Sequence, residues 1–286
     1  MTDDGGPPAP GARLLAEAWA QAQDLCRAAG VAVSAPEGPA QVARAVAVLR
    51  EIWGEPDALS ATAMRALQHV GGYVMTVHEP ADPAVVVGAS AAFFAAPQHR
   101  RLHSHVTGVR ADRRGRHVGT ALKLHQRAWA LERGLDAISW TFDPLVGRNA
   151  HLNLTRLGAR VEAYLPDFYG ATGDLVNADG PTDRFEVVWD IARPWAPGTP
   201  AERPPGTPVV LAVSPDGAPS TRAVPSGADR VLVAVPRDVE SLRARQPDLA
   251  REWRAALHGT LVPLLADGLA VTGFTLDGHY LMEGSR

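Results

Sequence analysis

Nine prolines fall between Pro194 and Pro225, in a stretch otherwise rich in Gly, Ala, Ser and Thr. Proline lacks a backbone N–H and fixes φ, so this segment cannot hold a helix. Residues 192–208 read as a linker and 214–228 as a long loop. The 286 residues therefore divide into a larger N-terminal part and a C-terminal part of about 80 residues. Length alone, at roughly 150 residues per domain, also suggests two. Three more prolines lie in the first ten residues. That stretch has neither the basic nor the apolar region of a secretory signal.

Periodicity places the elements. Residues 12–29, 37–53, 57–70, 117–133 and 147–157 carry apolar side chains at helical spacing, and Gly30, Gly71, Gly134 and Gly158 stop four of them. Short apolar runs read as strands at 31–34, 73–78, 85–94, 102–109, 137–142, 160–165 and 185–191. Past the prolines come a strand at 231–235, a helix at 248–266 and strands at 269–275 and 280–282. Gly259 and Pro263 lie inside that last helix and weaken its final turns. The order predicts a mixed α/β (α+β) fold with helices flanking a mostly antiparallel sheet. The expected divisions are 1–30 (tail and extra helix), 31–191 (the principal domain), 192–228 (linker and loop) and 229–286 (a smaller C-terminal part).

Composition excludes several classes. A net charge of -3 is not the basic surface of a general nucleic-acid binder. The single cysteine, Cys26, allows no internal disulfide framework and suggests a reducing, cytoplasmic setting. No apolar run reaches the ~20 residues of a membrane span. The expected partners include neither nucleic acid nor membrane, and a homodimer stays open.

The densest chemistry follows the strand at 102–109. Arg110, Arg113, Arg114 and Arg116 surround Gly115, and Gly119 sits at the start of the next helix. A helix N-terminus offers unpaired N–H groups and the positive end of its dipole, so it suits phosphate. Glycine allows close backbone approach, and arginine can grip phosphate with two hydrogen bonds. The same loop also fits a solvated basic turn. With Arg100 and Arg101 added, six arginines in seventeen residues fit a nucleic-acid patch, though no aromatic residue interleaves them.

The run Arg114, Gly115, Arg116, His117, Val118, Gly119 resembles the coenzyme A pyrophosphate loop of the GNAT superfamily of acyl-CoA-dependent N-acyltransferases. Its pattern is R/Q-x-x-G-x-G/A, and here His117 replaces the middle glycine. Element order over about 31–191 matches that superfamily. Strings such as His103–Gly108, Trp140–Pro144, Leu165–Gly170 and Thr182–Arg184 resemble one of its branches, in which some members look like succinyl-CoA-dependent acylases of amino acids. The C-terminal strand–helix–strand is similar to a degenerate second half of the same fold, without the Arg/Gly loop.

The resemblance implies acetyl-CoA or another acyl-CoA as co-substrate and a small amine or amino acid as acceptor, with no metal. It implies cofactor contacts from Thr107, Gly108, Val109, Arg114, Gly115, Arg116, His117, Val118, Gly119 and Thr120. It also implies that the Val109 N–H faces the thioester carbonyl. His103 stands where the superfamily often carries its general base, and His105 lies two residues on. Both residues also fit partly buried strand histidines, and His99, His103 and His105 together could supply a metal with three nitrogens. The superfamily's tyrosine acid corresponds to Leu154, leaving Tyr164, Tyr169, a water or no acid at all in its place. Asn149 and Asn153, spaced i, i+4, are candidates for the pantetheine amides or for a cap and a solvated face. Asp143 is a candidate for a substrate amine or for starting a turn, and Arg184 for a substrate carboxylate or an ion pair with Asp183. A non-catalytic coenzyme A-binding module is the alternative function.

Overall fold

The computed structural model describes residues 10–54, 58–170 and 180–284. The chain forms two compact units. The first holds 1–139 and 190–195, and the second holds 140–189 and 196–286. The chain crosses between the units after Ser139, after Trp189 and after Trp195, the last of these inside the proline-rich seam.

The first unit carries α1 (Pro10–Ala29), β1 (Ala32–Ser34), α2 (Gly38–Trp53), α3 (Ala61–His69), β2 (Tyr73–Glu79), β3 (Asp82–Phe94), β4 (Arg101–Val109) and α4 (Val118–Glu132). Strand β5 (Ala137–Phe142) begins in it. The sheet order is β1-β2-β3-β4-β5. The first three pairings are antiparallel and β4–β5 is parallel. Helices cover both faces. Val42, Val46, Leu49 and Met64 of α2 and α3 pack on Val74, Ala89, Ala91 and Val106. Cys26, Val118, Ala121 and Leu122 of α1 and α4 pack on Val77 and Val87. Each fully buried Val or Leu contributes about 1.5–3 kcal/mol. The start of the expected linker is fixed here: Arg127 donates to the Arg193 carbonyl at 2.7 Å and Gln21 to the Trp195 carbonyl at 3.1 Å.

The second unit continues β5 and adds α5 (Gly147–Ala150), β6 (Arg160–Leu165) and β7 (Arg184–Asp190) in the order β5-β7-β6. Within the proline-rich stretch come β8 (Val209–Val213) and β9 (Pro219–Thr221), and beyond it β10 (Arg230–Ala234), α6 (Val239–Arg245), α7 (Pro247–Ala266), β11 (Leu269–Phe274) and β12 (His279–Gly284). They build a second sheet, β11-β12-β10-β8-β9.

Here the structure corrects the linker and loop expected over 192–228. Residues 209–213 and 219–221 are strands, and β8 pairs parallel with β10. Proline is tolerated because Pro219 opens the short edge strand β9. Ala201 is tied down as well, its N–H bonding the Phe274 carbonyl at 2.9 Å. The C-terminal strands share a core with β5–β7, since Phe142, Tyr164, Tyr280 and Phe274 form a chain of ring contacts through Phe185. Helix α7 runs through Gly259 and Pro263 without a break. The expected helix at 147–157 is real, but its second part, His151–Arg156, is a π-helix. No helix among the described residues is long and apolar enough to cross a membrane.

Candidate functional site

Strand β4 of the first unit has two irregularities. Opposite β3, Ala91 pairs with Val106 but Ala92 pairs with Ser104, so His105 is an extra residue, a β-bulge. On the other edge, the parallel ladder to β5 covers only Arg101↔Ala137, Leu102↔Ile138 and His103↔Ser139. The Arg110 N–H bonds the Val87 carbonyl of β3 at 2.9 Å. Strand amides alternate in direction, so the Val109 and Thr107 N–H groups point to the opposite edge, beyond the end of that ladder. Thr107 also shares a 2.8 Å hydroxyl contact with Ser90. Gly108 has a packing role. A Cβ there would meet Ile52 Cδ1 at 2.8 Å and Leu49 Cδ2 at 3.1 Å, so glycine lets α2 lie on the strand.

Beyond β4 the chain makes one 3₁₀ turn at Ala111–Arg113 and enters α4. Gly115 has φ 75° and a Cβ added there would meet nothing within 4 Å. His117, the helix N-cap, has φ 62° and provides no side-chain cap. The position that departs from the glycine pattern thus keeps the left-handed backbone glycine favours. The Ala121 N–H bonds the His117 carbonyl, so the N–H groups of Val118, Gly119 and Thr120 are the first-turn donors. The Val118 and Thr120 side chains are buried.

The arginines divide into two sets. Arg100 pairs with Asp136, Arg110 with Glu51 and Asp112, and Arg113 with Glu79 and Asp112. Arg114 and Arg116 are exposed and make no ion pair among the described residues. Three of the six clustered arginines are thus paired with carboxylates, while Arg114 and Arg116 keep two charges at the helix entrance.

Both β4 histidines pack on one ring. Phe93, 40% exposed, lies 5.2 Å from His103 and 5.6 Å from His105, centroid to centroid. His103 Nδ1 is 3.3 Å from Ser139 Oγ. Burial, followed by His105, Lys123 and Arg101, lowers His103 to about 4. Its imidazole is therefore neutral at pH 7 and a weaker base than an ordinary histidine near ~6.5. Lys123 of α4, buried, donates to Ser104 Oγ at 2.9 Å and Gln126 Oε1 at 3.2 Å. Burial brings it down to about 7. A lone lysine inside the apolar stripe of α4 was a visible signal that the sequence reading did not use. No group of three or more His, Cys, Asp or Glu side chains converges among the described residues.

The remaining candidates lie in the second unit. Asp143 is buried and fully engaged. It accepts from Arg254 at 2.8 and 2.6 Å, from Arg243 at 2.5 Å and from the Leu145 N–H at 2.9 Å. Burial pushes its carboxyl up, but Arg254, Arg243 and Arg184 outweigh burial and hold it well below the carboxylate range. Asp143 thus starts a turn and anchors α6 and α7, and is not open to a substrate amine. Arg184 is also buried, its guanidinium 5.3 Å from the Tyr169 ring and donating to the Asp183 carbonyl. Tyr164 donates to Asp183 Oδ2 at 2.5 Å, and burial, then Asp183, pushes its hydroxyl far above the ordinary tyrosine range. Tyr169 is 40% exposed and bonds Thr141 Oγ1 at 3.0 Å. Asn153 is buried and Asn149 half-buried. Arg243, Arg254 and His258 had no sequence signal, because they meet their partners across about a hundred residues.

No protein-family model matches the chain, and no curated protein sequence matches it. Solved structures do. The ribosomal-protein-S18-alanine N-acetyltransferase from Escherichia coli is similar over 58% of this chain and 96% of its own, with a TM-score of 0.46 and 13% identity. The yncA protein of Salmonella typhimurium, solved with acetyl-CoA, is similar over 59% and 98%, with a TM-score of 0.45 and 16% identity. A GNAT-family protein from Desulfovibrio desulfuricans is similar over 56% and 99%, with a TM-score of 0.45 and 16% identity.

Proposed function

We propose that the chain is an acyl-CoA-dependent N-acyltransferase. It moves an acetyl or succinyl group to the amine of a small molecule or amino acid by direct transfer. One observation carries this reading: β4 leaves its ladder with β5 after three residues, bulges at His105, and ends in an arginine loop that opens α4. An extended pantetheine arm could hydrogen-bond along the free edge of β4 as an added strand would. The first-turn N–H groups of α4, with Arg114 and Arg116, suit a pyrophosphate. The Val109 N–H, pointing to the same edge, suits a developing oxyanion.

His103 would receive the amine's proton. At about 4 it is a weak base, so it serves only as the N–C bond forms, when the attacking nitrogen becomes acidic.

Coenzyme A at a hundred times its dissociation constant should stabilise the protein by about 2.7 kcal/mol. Arg114→Ala should weaken that binding about tenfold, or ~1.4 kcal/mol. Thiol release would then be followed with acetyl-CoA and succinyl-CoA across an amine panel. No stabilisation at millimolar coenzyme A sinks the proposal. Binding without turnover favours a second reading, a non-catalytic coenzyme A-binding module. Leu154 at the acid position and the occupied Tyr164 hydroxyl support that second reading.

A further inference from the structure

The β3–β4 ladder of the first unit sets three rings side by side. Phe93 lies opposite His103 in the antiparallel register, and His105, the bulged residue, reaches the same ring. The two imidazole planes are tilted to that of Phe93 by 35° and 42°, at centroid distances of 5.2 and 5.6 Å. These are the separations of packed aromatic pairs. Phe93 is nevertheless exposed, so it braces both histidines and still offers ring surface to a ligand. His103 is held as well by Ser139 Oγ. All four side chains belong to the first unit.

The charges around this face have one sign. The groups that act on His103 are His105, Lys123 and Arg101, and no carboxylate among the described residues joins them. Arg101 lies two residues before His103, on the same face of β4. An alkylammonium brought to Phe93 would meet like charges with no anion to offset them.

It would also bring a proton that His103, at about 4, cannot take, because an alkylamine holds its proton as lysine does, to about pH 10.4. An arylamine differs on both counts. Its lone pair is delocalised into the ring, so the nitrogen is uncharged at pH 7. The nitrogen becomes acidic only as it forms a bond to the acyl carbon, and a weak base then suffices.

We propose that the acceptor is an arylamine, its ring packed on Phe93 and its amino group directed at His103. This rests on the acyl-transfer reading and names the acceptor class of that site. The nitrogen forms the N–C bond to the thioester carbon, the C–S bond breaks, and coenzyme A leaves as the thiolate. The proton that the nitrogen sheds goes to His103 and ends on the thiol.

Aniline, benzylamine and cyclohexylamine separate ring from charge. At pH 7 the first is an uncharged arene, the second a charged one, and the third is charged without an arene. Their binding to the full chain is measured by saturation-transfer NMR, with and without coenzyme A, and their turnover by thiol release with acetyl-CoA and succinyl-CoA. Aniline should bind at least tenfold more tightly than either alkylamine and show a correspondingly higher kcat/KM. Phe93→Leu keeps an apolar side chain but removes the ring. It should raise KM for aniline at least threefold, with kcat and the KM of the thioester within about twofold. Equal or tighter binding of benzylamine or cyclohexylamine overturns the proposal, and their turnover would leave the acyl-transfer reading standing. A fall in kcat at unchanged KM in Phe93→Leu also overturns it, since the ring would then only position the histidines. Coenzyme A binding without turnover of any amine removes both the acceptor class and the enzyme reading.

Discussion

His117 stands where the resembling loop pattern has glycine, yet its backbone keeps φ at 62°. An L-residue in the left-handed region costs roughly 1–2 kcal/mol. His117→Gly removes that cost and adds unfolded-state entropy of similar size. Its stability should stay within about 1 kcal/mol of the parent in urea unfolding, while β-branched His117→Val should lose about 1–2 kcal/mol. Asp143 is the opposite case, a side chain whose partners decide everything. Asp143→Ala leaves Arg243 and Arg254 buried without their carboxylate. Losing one member of a buried pair costs about 3–5 kcal/mol, so the urea midpoint should fall sharply. A loss under 1 kcal/mol would show that the pair does not anchor α6 and α7.

Among the elements, α7 is the one whose sequence argues against itself. It is helical from Pro247 to Ala266 in spite of Gly259 and Pro263. Trp253, Leu257, Leu261 and Leu264 are buried along it, and packing of such an apolar face supplies most helical stability in proteins. A Cβ at Gly259 would meet nothing within 4 Å. Gly259→Ala should therefore raise stability by about 1 kcal/mol in chemical denaturation; a decrease would mean the helix needs the bare backbone. The element edges of β4 and α4 were legible because alternation and helical spacing are local signals. The bulge at His105 and the early end of the β5 ladder were not, since both are properties of pairing between strands. The same holds for the strand at 209–213, whose proline neighbours gave it the look of a loop.

For the whole molecule, buried bases set the pH response. Burial, followed by charged neighbours at His103, lowers both His103 and His125 to about 4, whereas the unfolded chain titrates histidine near 6.5. Between about pH 6.5 and 4 the unfolded state binds more protons, so stability should fall as pH drops through that window. Lys123, lowered to about 7, acts in the same sense at higher pH. Its contribution should make stability rise from about pH 7 toward 10.5. Urea midpoints from pH 4 to 10 measure both effects, and a midpoint at pH 5 equal to that at pH 7 contradicts the first. Lys123→Met should remove the upper slope.

The sequence by itself determined the alternation of strands and helices, the helix stops at glycine, and the arginine loop between β4 and α4. These rest on residue type and spacing within a few positions, which is where backbone preference and amphipathic periodicity act. Tertiary structure alone decided which charges are free. It placed Glu51 and Glu79 on two loop arginines and left Arg114 and Arg116 exposed. It closed two arginines of the C-terminal helices on Asp143, and it turned His258 toward Asp183. It also drew a unit boundary after Ser139, besides the one after Trp195 among the prolines. Charge neutralisation and burial depend on contacts between residues far apart in the chain, and no local pattern encodes them.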